Sequence, residues 1–325
     1  MSNTKIKGID KLITLKIIMV LPIKQLKKLY GWKNVEKWHV FPSGHMNTNV
    51  YVKADGAEYN GRFYKTRSKT EIKFELEMLG ELKRKGFPCP IAIVSLNGEK
   101  ITTINGTNVV CFSFIQGVTS QPRTLANVRK VAKKTGELHL KTAGIYISSK
   151  RPGETLGEFK QFIAKTKSEF IGLIPPFSGK ALAFVQSELK TLELPRDLEV
   201  GLVHGDIKPE NVVFKRGEVA GFLDFDLAYC GDLLSDVASA ALWWSITRSG
   251  VKMQNLTTFL VEYNKVRPMS VSEKRHFKTA LLFQAVKQVY RYPYFVRHKP
   301  RVAKANSAMF LKAAKQIKLM DLRIV

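Results

Sequence analysis

Residues 203–226 read Val-His-Gly-Asp-Ile-Lys-Pro-Glu-Asn-Val-Val-Phe-Lys-Arg-Gly-Glu-Val-Ala-Gly-Phe-Leu-Asp-Phe-Asp, and they constrain the chain more than any other stretch. Val212-Val213-Phe214 and residues 219–225 are β-type apolar runs, and Lys215-Arg216-Gly217-Glu218 between them has turn chemistry. The pattern predicts a hairpin. Such a hairpin brings Asn211, just ahead of its first strand, beside Asp224 at the end of its second. Two oxygen-bearing side chains thirteen positions apart would then share one site, with the acid Asp206 five residues upstream of Asn211.

The spacing has a chemical counterpart. An acid, an amide five residues on, and a second acid after an apolar run resemble the catalytic loop and metal-binding Asp of kinases. Phosphoryl transfer from ATP needs a carboxylate to orient the attacking hydroxyl and hard oxygen ligands to hold Mg²⁺ on the phosphates. The resemblance assigns the first task to Asp206 and the second to Asn211 and Asp224. Lys208, two residues after the acid, is expected against the γ-phosphate; a solvated loop lysine is the alternative. Gly205 stands where protein kinases carry Arg, and after Asp226 the chain passes almost at once into Leu233-Leu234-Ser235-Asp236-Val237-Ala238. No room is left for an activation segment. This form resembles the aminoglycoside phosphotransferase and choline kinase superfamily of small-molecule kinases, and a regulated protein kinase is disfavoured.

The implied fold is α+β and protein-kinase-like: bilobal, with a small β-rich N-lobe, a larger helical C-lobe and the active site between. The expected division is an extension over 1–25, the N-lobe over 26–115 and the C-lobe over 116–325. Residues 36–66 suggest strands around a loop that contains Gly44, Asn47 and Asn49, with a turn at Ala54-Asp55-Gly56. In a kinase this loop covers the ATP phosphates with backbone N–H groups. Lys65, ending the third apolar segment, is where a kinase lysine pairs the α/β-phosphates. Ile72, Leu76, Leu79 and Leu82 share one helix face. From that helix Glu75 is expected to hold Lys65, with Glu71 as competitor. Strands are expected over 91–96, 101–104 and 109–117, the last being the hinge. Its backbone through Ser113, Phe114 and Ile115 is positioned for adenine.

Beyond the hinge the chain turns helical over 126–140, then loop-rich and basic through Pro175-Pro176, then helical again over 180–194. His139 suits packing beneath the active site better than catalysis, and Asp236 a brace for the catalytic loop. Trp243, Trp244 and the run Tyr290-Arg291-Tyr292-Pro293-Tyr294-Phe295 could wall the acceptor pocket or simply pack the core. More narrowly, Gly44-His45-Met46-Asn47-Thr48-Asn49-Val50-Tyr51 and Phe114-Ile115-Gln116-Gly117 resemble homoserine kinases of the phosphotransferase type. That likeness runs from about residue 26 to 245. The family's Leu-Phe-x-Asp-Asn after the catalytic Asp is here Ile207-Lys208-Pro209-Glu210-Asn211.

Composition sets the remaining bounds. With 325 residues, 45% hydrophobic, the chain can bury a substantial core. Cys89, Cys111 and Cys230 form neither a disulfide framework nor a zinc pattern, and a reducing cytoplasm is the expected location. Residues 12–23 are apolar but broken by Lys16 and too short to span a bilayer, so no transmembrane segment is expected. Met19 competes with Met1 as the native start. The net charge of +26 is the second constraint, and residues 237–325 hold three acids against seventeen Lys and Arg. Such a field draws polyanions, ATP among them, although bases spread on helical patterns also describe solvated faces. The expected partner is a small acceptor with a hydroxyl, first an amino alcohol such as homoserine. Aminoglycosides or choline and ethanolamine come second, and a basic adaptor for nucleic acid or an anionic surface third.

Overall fold

A computed structural model describes residues 22–41, 47–145, 147, 149, 151, 153–175 and 177–322. Gly44, the choice between Met1 and Met19, and most of the apolar stretch after Leu12 lie outside these residues. The chain divides into two compact units, the first from residues 1–79 and 90–114, the second from 80–89 and 115–325.

The first unit is built on a five-stranded antiparallel sheet in the order β1-β2-β3-β5-β4, from β1 (Val35–Val40), β2 (Asn47–Ala54), β3 (Ala57–Tyr64), β4 (Thr102–Ile104) and β5 (Thr107–Ser113). Two of its hairpins close on two-residue turns. Asp55-Gly56 and Asn105-Gly106 both hold positive φ at each position, the turn whose twist matches paired strands. Helix α1 (residues 22–30) sends Ile23 and Leu26 onto the sheet, where they join Trp32, Val50, Val52, Phe63 and Val109 in the core. Helix α2 (Lys69–Arg84) buries Ile72, Leu76, Leu79 and Leu82, the face that the spacing predicts. Residues 91–96, expected as a strand, form only a bridge from Ala92 to Phe112, with the Ile93 N–H on the Cys111 carbonyl. Pro90 removes a ladder donor just before it, and the turn ending at Gly98 bends the chain away.

The second unit is helical around three two-stranded ribbons. Its helices are α3 (Leu125–Thr142), α4 (Leu156–Leu173), α5 (Phe177–Thr191), α6 (Leu233–Ser245), α7 (Met253–Val266), α8 (Val271–Phe295) and α9 (Pro300–Leu319). The stretch before Pro175, expected to be loop-rich, is largely α4. The signal for it is the capping box at Thr155 and Glu158, followed by the buried Phe159, Ile163 and Phe170. Every residue of α6 is buried, as its nearly unbroken apolar sequence requires.

Helix α8 carries Pro293 in its last turn, which cannot donate to the Val289 carbonyl. Ser307 of α9 repairs this by donating its hydroxyl to Val289 O at 2.6 Å, and both groups are buried. Ser307→Ala is therefore expected to cost about 1–3 kcal/mol, the penalty of a stranded buried carbonyl. Urea titration checks this; an unchanged midpoint would mean that the carbonyl finds another donor.

Candidate active site

The catalytic-loop residues sit between two ribbons. Strand β6 (Val200–Val203) pairs with β9 (Tyr229–Asp232), and β7 (Val212–Lys215) with β8 (Glu218–Phe222). The β7–β8 turn at Arg216-Gly217 has positive φ at both positions, so the predicted hairpin forms. One further rung, the Leu223 N–H on the Asn211 carbonyl at 2.8 Å, carries the pairing up to Asp224. Asp224 itself adopts φ 63°, ψ 64°, a left-handed conformation that ends the strand.

Asp206 is held from two directions. Lys208 Nζ donates to its Oδ2 at 2.6 Å, and Asn211 Nδ2 donates to the same oxygen and to the Asp206 carbonyl, each at 2.9 Å. Both side-chain contacts fall on Oδ2, and Oδ1 takes no side-chain hydrogen bond among the described residues. Burial pushes the Asp206 carboxyl up, Lys208 pulls it down, and the nearby Asp224 charge pushes it up again, for a net rise. The Lys208 ammonium is raised: burial works against it, but Asp206 and Asp224 outweigh that. Gly205 takes φ +79°, and a Cβ there would sit 3.1 Å from the Leu227 carbonyl. That is the steric reason for glycine beside the acid.

A buried scaffold fixes this loop. Asp236 near the start of α6 accepts the backbone N–H groups of His204 and Gly205, both at 2.8 Å, and His139 Nε2 lies 3.0 Å from its Oδ2. His139 Nδ1 in turn meets the Tyr263 hydroxyl at 2.7 Å, and Arg267 donates to that hydroxyl at 2.8 Å and to Glu273 at 2.7 Å. Trp244 Nε1 donates to the Ile207 carbonyl, and Arg151 Nη1 to the carbonyls of Phe225, Asp226 and Ala228. His139 and Asp236 are thus braces, and Trp244 is a structural donor rather than a pocket wall. Tyr290 belongs to the core, stacked on Phe170 with a 4.0 Å centroid separation. Trp243 does face the loop: Lys208 Nζ lies 5.8 Å from its ring centroid. Sequence reasoning missed Arg151, Tyr263 and Arg267, since nothing local marks them.

Two carboxylates and an amide oxygen near one another are the donors a hard divalent cation takes. Among the described residues no group of three or more His, Cys, Asp or Glu side chains is placed to hold a metal ion. A pair of protein ligands completed by phosphate oxygens and water is nevertheless how Mg²⁺ is commonly bound. The Asn211 amide fits this use, because Asp206 engages its NH₂ and directs its oxygen the other way.

In the first unit the expected ion pair is present with a different cation. Glu75, buried on α2, receives Arg62 Nη1 at 3.0 Å and the Tyr64 hydroxyl at 3.1 Å. Lys65, expected as its partner, is exposed at the end of β3, in a groove of about 560 Å³ bounded by Arg67, Ser68 and Asn108 among others. The reason is strand alternation: Arg62 and Tyr64 share the face toward α2, and Lys65 points to the other. Glu71, the competitor, pairs instead with Arg67 at 2.7 Å and takes the Ser68 N–H at the helix start. Asn49 accepts from Arg62 Nε at 3.2 Å, so it orients that guanidinium. Asn47 is buried, with an Oδ1 that has no hydrogen-bond partner among the described residues. At the hinge, the Ser113 N–H is engaged by Ile91 O at 2.8 Å and the Phe114 N–H by Glu58 O at 3.1 Å. Neither donor is spare for a base.

The model of the phosphotransferase enzyme family matches residues 37–268, well over half the chain. The chain belongs to that family. The match reaches past residue 245, where the sequence likeness was expected to fade, through α6 and α7. Curated relatives of this phosphotransferase include a homoserine kinase of Mesorhizobium japonicum, 28% identical over 236 residues, covering 71% of this chain and 72% of the relative. A homoserine kinase of Afipia carboxidovorans is 27% identical and covers 71% of each. Among solved structures, a microcompartment-associated aminopropanol kinase superposes with a TM-score of 0.70 at 16% identity, covering 91% of this chain and 97% of its own. An amicoumacin kinase solved with AMP-PNP and Ca²⁺ gives 0.68 at 18% identity, covering 95% of each chain. The choline kinase of Cryptosporidium parvum gives 0.66 at 12% identity, covering 93% and 95%. The fold of this phosphotransferase is therefore the kinase-like α+β fold expected from its sequence. No helix among the described residues is long and apolar enough to cross a membrane.

Proposed function

We propose that this phosphotransferase is an ATP- and Mg²⁺-dependent kinase that phosphorylates the hydroxyl of a small amino alcohol, with homoserine the first candidate. The observation that carries the reading is the setting of Asp206. One of its carboxylate oxygens is tied down by Lys208 and Asn211, and the other remains to orient an incoming hydroxyl. The names of the curated relatives support the acceptor class, and the aminopropanol kinase shares its fold.

Asp206 orients the alcohol for in-line attack on the γ-phosphorus and holds its proton as the P–O bond forms; the γ-phosphoryl group leaves ADP. Lys208 lies where it can offset charge on the transferred group. Asn211 and Asp224 would hold Mg²⁺, which when bound would neutralise charge on the phosphates. Arg62, fixed by Glu75 and Asn49, takes over the phosphate-pairing role expected of Lys65. Of the hinge residues expected to meet adenine, Ile115 keeps the donor role, while Ser113 and Phe114 contribute carbonyl and ring surface.

Two measurements test this. Coupled ATP turnover across homoserine, aminopropanol, choline, sugars and aminoglycosides should show acceptor-dependent activity with an amino alcohol; activity confined to aminoglycosides or choline would move the acceptor class. Arg62→Met should raise the KM for ATP about tenfold or more, whereas Lys65→Met changes it little. The reverse order would return the phosphate contact to Lys65.

A further inference from the structure

Beside the catalytic loop a cation is held in place without being neutralised. Arg123, half-buried just ahead of α3, donates its Nε–H to the Trp243 carbonyl at 2.6 Å. Its own carbonyl accepts from Asn255 Nδ2 at 2.8 Å, and the same amide donates to the Trp244 carbonyl at 3.1 Å. Backbone and side chain are thus both pinned. Among the described residues, however, neither terminal Nη group has a hydrogen-bond or ion-pair partner. Burial pulls this guanidinium down, and the charges of Glu210 and Tyr292 act the other way. Glu210 is exposed, and among the described residues no hydrogen bond or ion pair engages its carboxylate.

Two chains of contacts tie Arg123 to the loop of Asp206. The first is backbone: the Ser120 N–H meets the Pro209 carbonyl at 2.7 Å, and Val118 bridges to Phe214. Pro209–Asn211 form the short turn that follows Lys208, and that turn carries Glu210. The second runs through Trp243, whose carbonyl holds Arg123 and whose ring centroid lies 5.8 Å from Lys208 Nζ. Lys208 in turn donates to Asp206 at 2.6 Å. Arg123 and Glu210 are therefore fixed beside the reacting carboxylate, near enough to feel one another's charge, and they do not pair.

We infer that Arg123 and Glu210 form a head-group site for a zwitterionic acceptor, an α-amino acid whose side chain ends in a hydroxyl. The guanidinium takes the α-carboxylate through its two Nη groups, a fork that matches two carboxylate oxygens. Glu210 takes the α-ammonium, and the hydroxyl is left for Asp206. Opposite charges set apart in this way complement a zwitterion and select against an acceptor that lacks either charge. The inference rests on the kinase reading above and narrows its acceptor from an amino alcohol to a hydroxy amino acid. Arg123→Gln suits the test, because the glutamine amide nitrogen occupies the chain position of Nε. The donor to the Trp243 carbonyl is kept and only the charged fork is lost.

The experiment measures kcat/KM for homoserine against two acceptors that each lack one charge. Aminopropanol with a terminal hydroxyl has no carboxylate, and γ-hydroxybutyrate has no ammonium. Where an analogue is not turned over, its inhibition constant against homoserine takes the place of kcat/KM. In Arg123→Gln the preference for homoserine over aminopropanol should fall about tenfold or more, through KM, while the preference over γ-hydroxybutyrate holds within about twofold. In Glu210→Gln the pattern should reverse. Damage to the fold lowers every acceptor together, so unchanged preferences in either variant would overturn the site. A wild type that prefers either analogue to homoserine would do the same. If wild type phosphorylates none of them, the kinase reading for amino alcohols fails, and calorimetric titration of homoserine into enzyme with AMP-PNP and Mg²⁺ decides the rest. Binding weakened tenfold in Arg123→Gln keeps the site; absent or unaltered binding removes it.

Discussion

Asp206→Asn is expected to lower kcat by about a thousandfold or more while the protein stays folded and binds nucleotide. The amide keeps the size of the carboxylate but cannot take the proton of the attacking alcohol. It also removes the counter-charge that Lys208 contacts directly and presents an NH₂ or a weaker acceptor to Asn211. Asp224→Asn should behave differently. Asp224 is proposed as a ligand of the ion, so its loss should raise the Mg²⁺ concentration needed for half-maximal rate, and excess Mg²⁺ should restore part of the turnover. Mg²⁺ titrations of the two variants check the division of labour. Superimposable titrations would refute it.

Asp236→Ala should cost about 3–5 kcal/mol near neutral pH, because two backbone N–H groups and His139 lose a common buried anion. The pH dependence follows from the sign of the shift. Burial pushes the Asp236 carboxyl up, but the His139 hydrogen bond, the two imidazoles and the His204 N–H outweigh it and hold the group below the usual carboxylate range. A carboxyl depressed in the folded state stabilises above its unfolded value of about 4 and loses that contribution as pH falls through the folded value. The deficit of Asp236→Ala should therefore be largest near neutrality and shrink as pH falls through the depressed folded value. Denaturant titrations at both ends measure it; a deficit independent of pH would mean that packing, not charge, is lost. Turnover should fall with stability, since the same carboxylate holds the backbone on which Asp206 stands.

Local patterns were enough for the catalytic loop. Acid, amide and second acid lie within one hairpin and the turn that precedes it, so β-type runs around Lys215-Arg216-Gly217-Glu218 place Asn211 by Asp224 with no help from the rest of the chain. The buried face of α2 was equally legible, because its period needs no partner to be recognised. Arg62 was within reach as well. Counting faces along β3 puts Arg62 and Tyr64 on one side and Lys65 on the other, and only the kinase resemblance drew attention to the later residue.

Other features had no local signature. The capping box of α4 was visible, but its basic, weakly periodic sequence obscured a helix that packing of Phe159, Ile163 and Phe170 stabilises. The relay from Arg267 through Tyr263 and His139 to Asp236 joins residues up to 124 positions apart. Lys287 resembles any other lysine of a cationic chain until the fold removes it from water. Sequence alone pointed to phosphoryl transfer, because the groups proposed to carry it are close along the backbone and their spacing is itself the geometry. Tertiary structure decided which cation meets Glu75, what braces the loop and which charges are buried, because those depend on faces and distances that only chain folding brings together.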